Sequence, residues 1–254
     1  PDSLGGKPVI SVGAEVFAGH AEISELYIYE GITKIGASAF AGCTSLTYVT
    51  FPASLTEIAD SAFSGCKALS EVNFTSGLVK IGANAFSDNI NLEYVYLPGT
   101  LTSVGEGAFS GCNKLGFIVA TNPSASAQYG AGCFGSAKIY AFSGSSAETL
   151  ALNEKLDFSA VSPINNLKYS TQSTGVTITS CTGNTEAVII PNSIAGKNVI
   201  AVGDSAFSTD AGRCAGTKII VLPDSVRIIN NSAFTGNTAL EYIRLPRALD
   251  SNIG

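Results

Sequence analysis

The stretch Ile35-Gly-Ala-Ser-Ala-Phe40-Ala-Gly-Cys43-Thr-Ser-Leu46-Thr-Tyr-Val49-Thr-Phe51-Pro52 decides the architecture, because it recurs. Its phenylalanine returns at Phe17, Phe40, Phe63, Phe86 and Phe109, 23 residues apart each time, and again at Phe207 and Phe234, 27 apart. Fixed self-similarity at a period of about 20–50 residues marks a chain built of stacked coils. No coil of that size buries its own apolar edge, but a neighbour on either side does.

Aligned on the phenylalanine, the unit reads Ile-Gly-x-x-Ala-Phe-x-Gly-Cys-x-x-Leu-x-x-Val-x-Phe/Leu-Pro. The Leu-x-x-Val-x-Leu part has the spacing of a strand facing a core, as in Leu46/Val49/Phe51, Leu69/Val72/Phe74, Leu92/Val95/Leu97 and Leu240/Ile243/Leu245. Such strands stack in parallel at about 4.8 Å. Pro52, Pro98, Pro223 and Pro246 end them by withholding a ladder donor. A second short extended piece follows, as in Leu55-Thr-Glu-Ile58 and Leu101-Thr-Ser-Val104. A small or polar residue then precedes Ala-Phe at Ser38, Ser61, Asn84, Gly107, Ser205 and Ser232. Ser and Asn there predict the N-cap of a single helical turn. The expected fold is mainly β with short helical turns: a solenoid of about 23-residue coils with stacked parallel strands and a buried phenylalanine spine.

The motifs Ile-Gly-x-x-Ala-Phe-x-x-Cys and Leu-x-x-Val-x-Leu-Pro resemble the BspA-like family of leucine-rich repeats over most of the chain. The resemblance, to a family of secreted and surface proteins of bacteria and some protists, implies a surface protein, expected to be bacterial, that takes part in adhesion or host-matrix binding. The matching residues are those that build the coil, so they name no ligand.

Two arrays are expected. Five regular units run to about residue 120, and the period then loosens through Asn122-Pro-Ser-Ala-Ser-Ala-Gln-Tyr-Gly-Ala-Gly132. A degenerate coil follows, then Ser145-Ser-Ala-Glu148, whose capping-box spacing opens a helix to about Lys155. Residues 1–160 thus read as one array closed by a capping coil and helix. After Ser162-Pro163 the chain restarts: Leu167-Lys-Tyr-Ser and Gly175-Val-Thr-Ile-Thr alternate as a hairpin does. Residues 161–254 read as a hairpin cap and the start of a second, truncated array. Pro191–Phe207 aligns without gaps on Pro1–Phe17, with nine of seventeen positions identical. Position 1 therefore corresponds to the end of a cap, and Gly254 falls inside an unfinished coil. The chain has no methionine and no signal-like leader, and reads as an internal fragment of a longer polypeptide.

Three residues ahead of the first strand leucine stand His20, Cys43, Cys66, Asn89, Cys112 and Asn237. Cys133 and Cys214 join that column once the insertion Thr209–Arg213 is allowed for. An inward Cys or Asn there satisfies backbone groups of the neighbouring turn. Neighbours in such a column carry parallel Cβ vectors, which disfavours disulfides. No Cys-x-x-Cys spacing points to zinc. Cys181 lies outside the column and has no evident partner.

Composition narrows function further. The net charge of −6 argues against nucleic acid. No apolar run reaches the roughly 18 residues of a membrane helix. The single histidine, His20, occupies the ladder column, leaving Ser–His–Asp and Cys–His arrangements without a base. No catalytic residue, metal or cofactor is expected. The positions between the strand's apolar residues face solvent, giving Glu25, Tyr27, Tyr48, Glu71, Glu93, Tyr94, Tyr96 and Phe117, with Tyr140 and Tyr242 extending the row. Aromatics pair an apolar face with a polar tip, suiting an extracellular protein partner or a glycan. The bland alternative is that they only pack on cross-strand neighbours.

Overall fold

A computed structural model describes residues 3–4, 7–161, 166–183, 185–209, 214–247 and 249. Ser162-Pro163, most of the insertion at 209–213 and the chain end at Gly254 lie outside the described residues. The chain forms two compact units, Pro1–Ala160 and Val161–Gly254.

Unit 1 opens with a hairpin of β1 (Ser3–Leu4) and β2 (Lys7–Pro8). It is otherwise a solenoid with two parallel stacks of strands. The front stack has seven strands: β4 (Glu25–Tyr27), β6 (Tyr48–Thr50), β8 (Glu71–Asn73), β10 (Tyr94–Leu97), β12 (Phe117–Ala120), β14 (Lys138–Phe142) and β15 (Phe158–Val161). The rear stack has six: β3 (Ser11–Val12), β5 (Lys34–Ile35), β7 (Glu57–Ile58), β9 (Lys80–Ile81), β11 (Ser103–Val104) and β13 (Gln128–Tyr129). Pairing follows the repeat, with Glu25 opposite Tyr48 and Tyr94 opposite Phe117. The inward residues Val49, Val72, Val95 and Ile118 of β6, β8, β10 and β12 are buried, and Leu26 of the edge strand β4 is half-buried.

The phenylalanines form the expected spine. Phe17, Phe40, Phe63, Phe86 and Phe109 stack face to face with ring centroids 5.2–5.6 Å apart. Phe134, in the coil that reads as degenerate, takes the next place: the amide of Phe109 bonds the carbonyl of Cys133, as the amide of Phe86 bonds that of Ala108.

The segment ahead of each spine phenylalanine is a chain of turns rather than a capped helix, which corrects the N-cap expectation. Ser38, Ser61, Asn84, Ser205 and Ser232 have φ between 51° and 56°, and Gly107 has 61°. An N-cap requires extended φ and ψ; these are left-handed. The reason is a shared set of hydrogen bonds. The amides of Ser38, Phe40 and Gly42 reach outward to carbonyls of Asp60, Ala62 and Ser64 in the next coil. Those of Ala39, Ala41 and Cys43 turn back to Gly36, Ser38 and Phe40. Alternating amides therefore serve the coil and its neighbour, a pattern a helical turn does not allow.

One helix is present among the described residues, α1 (Ser146–Asn153), beneath the last coil of unit 1. Ser145 caps it, accepting the Glu148 amide, while Glu148 accepts the amide of Gly144. Its inward residues are the small Ala147 and Ala151, which let it lie close on the stack.

Unit 2 begins with the antiparallel pair β16 (Leu167–Thr171) and β17 (Val176–Cys181), followed by β18 (Ala187–Ile189). A short hairpin joins β19 (Ser193–Ile194) to β20 (Lys197–Val202). Then come β21 (Ile219–Val221), β22 (Ile228–Ile229) and β23 (Tyr242–Arg244). β17, β20 and β22 stack in parallel as one sheet, and β18, β21 and β23 as another. Phe207 and Phe234 stack at 5.3 Å.

Candidate functional site

The front sheet of unit 1 presents two outward columns in strict register. The first runs Glu25, Tyr48, Glu71, Tyr94, Phe117, Lys138, and the second Tyr27, Thr50, Asn73, Tyr96, Val119, Tyr140. Period-two alternation turns these residues away from the core. Acids and aromatics are interleaved and bonded. The Tyr94 hydroxyl donates to Glu71 at 2.7 Å, and that of Tyr27 to Glu25 at 2.9 Å. The hydrogen bond to Glu25 holds the Tyr27 phenol above its usual range, since ionisation would place two negative charges together. Rings adjoin along the first column, Tyr94 with Phe117 at 5.9 Å, and across the two, Tyr27 with Tyr48 at 6.0 Å and Phe117 with Tyr140 at 6.0 Å.

Exposure separates the candidates. Tyr27 and Tyr48 are 52% and 39% exposed, the most accessible of the aromatics in these columns. Glu25 is exposed, whereas Glu71, Tyr94, Tyr96 and Phe117 are half-buried. The Tyr96 hydroxyl lies 3.3 Å from that of Thr121. Glu93 is exposed but stands one position ahead of the columns, where its amide bonds Ser70. Two residues of the expected row do not belong to it as accessible groups. Tyr140 is buried beneath Phe117 and the Lys138 ammonium, which sits 5.1 Å from its ring centre. Tyr242, in unit 2, is buried as well.

The inward column holds the coils together. The Sγ of Cys43, Cys66 and Cys112 donates to the carbonyls of Phe17, Phe40 and Phe86, each one coil back. Asn89 Nδ2 bridges the carbonyls of Phe63 and Phe86, and Asn237 Nδ2 those of Phe207 and Phe234. Burial pushes the thiol of Cys66 up to about 12 and that of Cys112 to about 11.

Three column assignments need correction. His20 has the right spacing but lies at the open first coil, its exposed ring bonded through Nδ1 to Glu22 at 2.5 Å. Cys133 takes the place of the alanine before the spine phenylalanine, because the 25-residue step from Phe109 to Phe134 moves the register; Ala137, whose amide bonds Phe134, stands in the ladder column instead. Cys214 does not donate to a carbonyl: it forms a disulfide with Cys181, Cα atoms 5.9 Å apart. The parallel-vector argument applies between coils of one column. It does not reach a cysteine that arrives from the hairpin.

A feature the periodicity hides is a groove of about 570 Å³ where α1 crosses the outer edge of the rear sheet. Ser103, Gln128, Ser146, Thr149 and Asn153 line it with uncharged hydrogen-bonding groups. It arises where the repeat breaks, so no spacing signals it. Among the described residues no group of three potential metal ligands comes together, and no helix is long and apolar enough to cross a membrane.

Stacked 23-residue coils with an inward Cys/Asn ladder define a leucine-rich-repeat solenoid. The chain belongs to the BspA type leucine rich repeat family, whose model matches six copies across residues 10–139 and 180–253. Among solved structures it is similar to the T. pallidum leucine-rich repeat protein TpLRR, with 27% identity over 52% of this chain and 72% of that one, at a TM-score of 0.43. A leucine rich cell surface protein from Faecalibacterium prausnitzii is 24% identical over 97% of this chain and 68% of its own, at 0.44. The pneumococcal vaccine antigen PcpA is 19% identical over 98% and 60%, at 0.38. No curated protein matches the chain significantly.

Proposed function

We propose that the chain is an extracellular or cell-surface interaction scaffold that binds a protein, such as a host or matrix protein, through the front sheet of unit 1. The carrying observation is the acidic-aromatic surface around Glu25, Tyr27 and Tyr48, exposed on the edge strand β4 and on β6, which is paired on both sides. Such aromatics lose little freedom on binding, since stacking already restricts them, and each offers a ring and a hydroxyl. The Cys181–Cys214 disulfide supports a location outside the reducing cytosol. Binding rather than catalysis is further supported by the thiols of Cys66 and Cys112, which stay protonated and unreactive near neutral pH.

The test is surface binding of purified matrix and serum proteins to the full chain and to a Tyr27→Ser/Tyr48→Ser variant. Loss of about tenfold or more in affinity for a captured protein is expected; equal affinity removes the front sheet from the proposal. A second reading, a glycan-binding accessory module, is favoured by the groove beside α1, where the uncharged polar groups of Gln128, Thr149 and Asn153 stand among apolar Val104, Ala127 and Leu150. Binding on a glycan array that disappears in Gln128→Ala/Asn153→Ala would select it. Silence in both assays would leave a passive spacer.

A further inference from the structure

The groove beside α1 is made by two elements whose registers bring polar side chains to one place. On the sheet side, Ser103 of β11 and Gln128 of β13 are register partners, so they stand one above the other on the outer face. On the helix side, Ser146, Thr149, Leu150 and Asn153 fall at i, i+3, i+4 and i+7, the spacing of a single helical face. That face lines the groove, while Ala147 and Ala151 go to the core. Ala125 and Ala127, in the loop ahead of β13, close the remaining side. The volume of about 570 Å³ lies within the roughly 300–1,000 Å³ of small-ligand sites.

The polar groups there are unusually unspent. The side chains of Ser103, Gln128 and Asn153 make no hydrogen bond among the described residues. Thr149 and Ser146 donate their hydroxyl protons to the carbonyls of Ser145 and Ser124, and keep lone pairs with which to accept. The groove therefore offers two primary amides, each a donor and an acceptor side by side, one free hydroxyl and two acceptor oxygens. None of its lining side chains carries a charge. The one titratable group, Tyr129, pairs in register with the inward Val104, rests on Phe134 with ring centres 5.2 Å apart, and is held neutral by burial. Two flanking charges are engaged elsewhere. Glu154 accepts the Gly132 amide at 2.7 Å, and Lys80, one coil from Ser103, donates to Glu57.

We propose that this groove binds one uncharged hexopyranose unit of a saccharide through neighbouring ring hydroxyls, a deepening of the glycan reading that rests on it. Adjacent ring hydroxyls each donate and accept, and a primary amide meets such a pair with its oxygen and its NH2 together. Gln128 supplies that from the sheet side and Asn153 from the helix side. Ala127 and Leu150 give the C–H face of the sugar an apolar surface to rest on. Apolar lining with a few convergent polar groups is the make-up of a site that fixes a ligand's orientation. A carboxylate or sulfate would lose water here and gain no cation, so uronates, sialic acids and sulfated glycans are disfavoured. An extended peptide is disfavoured too: α1 packs against β13, the last strand of the rear sheet, and the groove offers side chains rather than an open strand edge.

The experiment titrates the full chain with uncharged methyl hexopyranosides of gluco, galacto and manno configuration, and with methyl glucuronide, read by saturation-transfer NMR. The variants Gln128→Glu and Asn153→Asp each replace an NH2 donor by a carboxylate oxygen at nearly constant shape. Both positions are exposed, so the unfolding midpoint should stay in place. At least one methyl hexoside should bind with a Kd of about 1 mM, the level expected for a ligand of that size. The glucuronide should bind about tenfold more weakly, and each variant should lose about tenfold in affinity for the hexoside. No hexoside bound below about 10 mM, a glucuronide bound equally well, or variants of unchanged affinity would each overturn the proposal. A glycan-array signal that disappears in Gln128→Ala/Asn153→Ala while every hexoside fails would overturn it and leave the glycan reading standing. A silent array with no hexoside bound would remove both.

Discussion

At the scale of single residues, the inward cysteines are hydrogen-bonding groups that happen to be thiols. Each donates one bond to a carbonyl one coil back and asks for nothing else, which suits a position with no room for water. Desolvation raises the folded-state pKa of Cys66 and Cys112 above the ordinary value of 9.0. A group raised on folding stabilises fully below its unfolded pKa and loses that contribution as pH rises. Stability should therefore hold to about pH 8 and then fall by about 1.4 kcal/mol per pH unit per thiol, towards about 11 for Cys112 and about 12 for Cys66. Urea midpoints from pH 7 to 10 measure this, and Cys66→Ser should flatten the slope. The spine makes a second residue-scale prediction. Phe63→Ala, at a fully buried position, should cost about 3–5 kcal/mol, and Phe17→Ala at the open end clearly less. Equal costs would mean that Phe17 is covered in solution.

At the scale of elements, the turn before each spine phenylalanine carries strain that glycine would remove. Ser61 sits at φ 56°, where a side chain costs about 1–2 kcal/mol relative to glycine, and Gly107 already fills the same position at φ 61°. Ser61→Gly should raise stability by about 0.5–1 kcal/mol, and Ser61→Val should lower it by about 1–3 kcal/mol, as read by denaturant unfolding. Local sequence misleads at this position for a definite reason. Ser and Asn both read locally as N-caps and only Asn tolerates a left-handed turn, so what imposes that turn on serine is the bond from Ser38 N to Asp60 O, 22 residues away. By contrast α1 was legible, because its cap lies wholly within Gly144–Glu148.

At the scale of the molecule, the two units differ in what closes them. Unit 2 has its cap tied by the Cys181–Cys214 disulfide across 33 residues, while Cys43, Cys66, Cys112 and Cys133 of unit 1 are free. Closing a loop of that length is worth about 2–4 kcal/mol. Reductant should therefore lower the unfolding transition of unit 2 by that amount and leave that of unit 1 in place. Calorimetry with and without dithiothreitol measures it, and a Cys181→Ala/Cys214→Ala variant should no longer respond.

The sequence by itself determined the solenoid, the parallel strands, the phenylalanine spine, the Cys/Asn ladder through Cys112, and the outward direction of Tyr27 and Tyr48. It could do so because the contacts between coils of a regular solenoid lie about one period away, so the repeat of 23 residues is itself a map of them. Tertiary structure alone decided what happens where the period breaks. A longer step before Phe134 moved Cys133 into the alanine column, and Tyr140 sank beneath Phe117 and Lys138. The pairing of Cys181 with Cys214 and the groove beside α1 join segments with no common period. Their meeting is set by how the chain crosses the end of a stack, and no spacing along the chain encodes that.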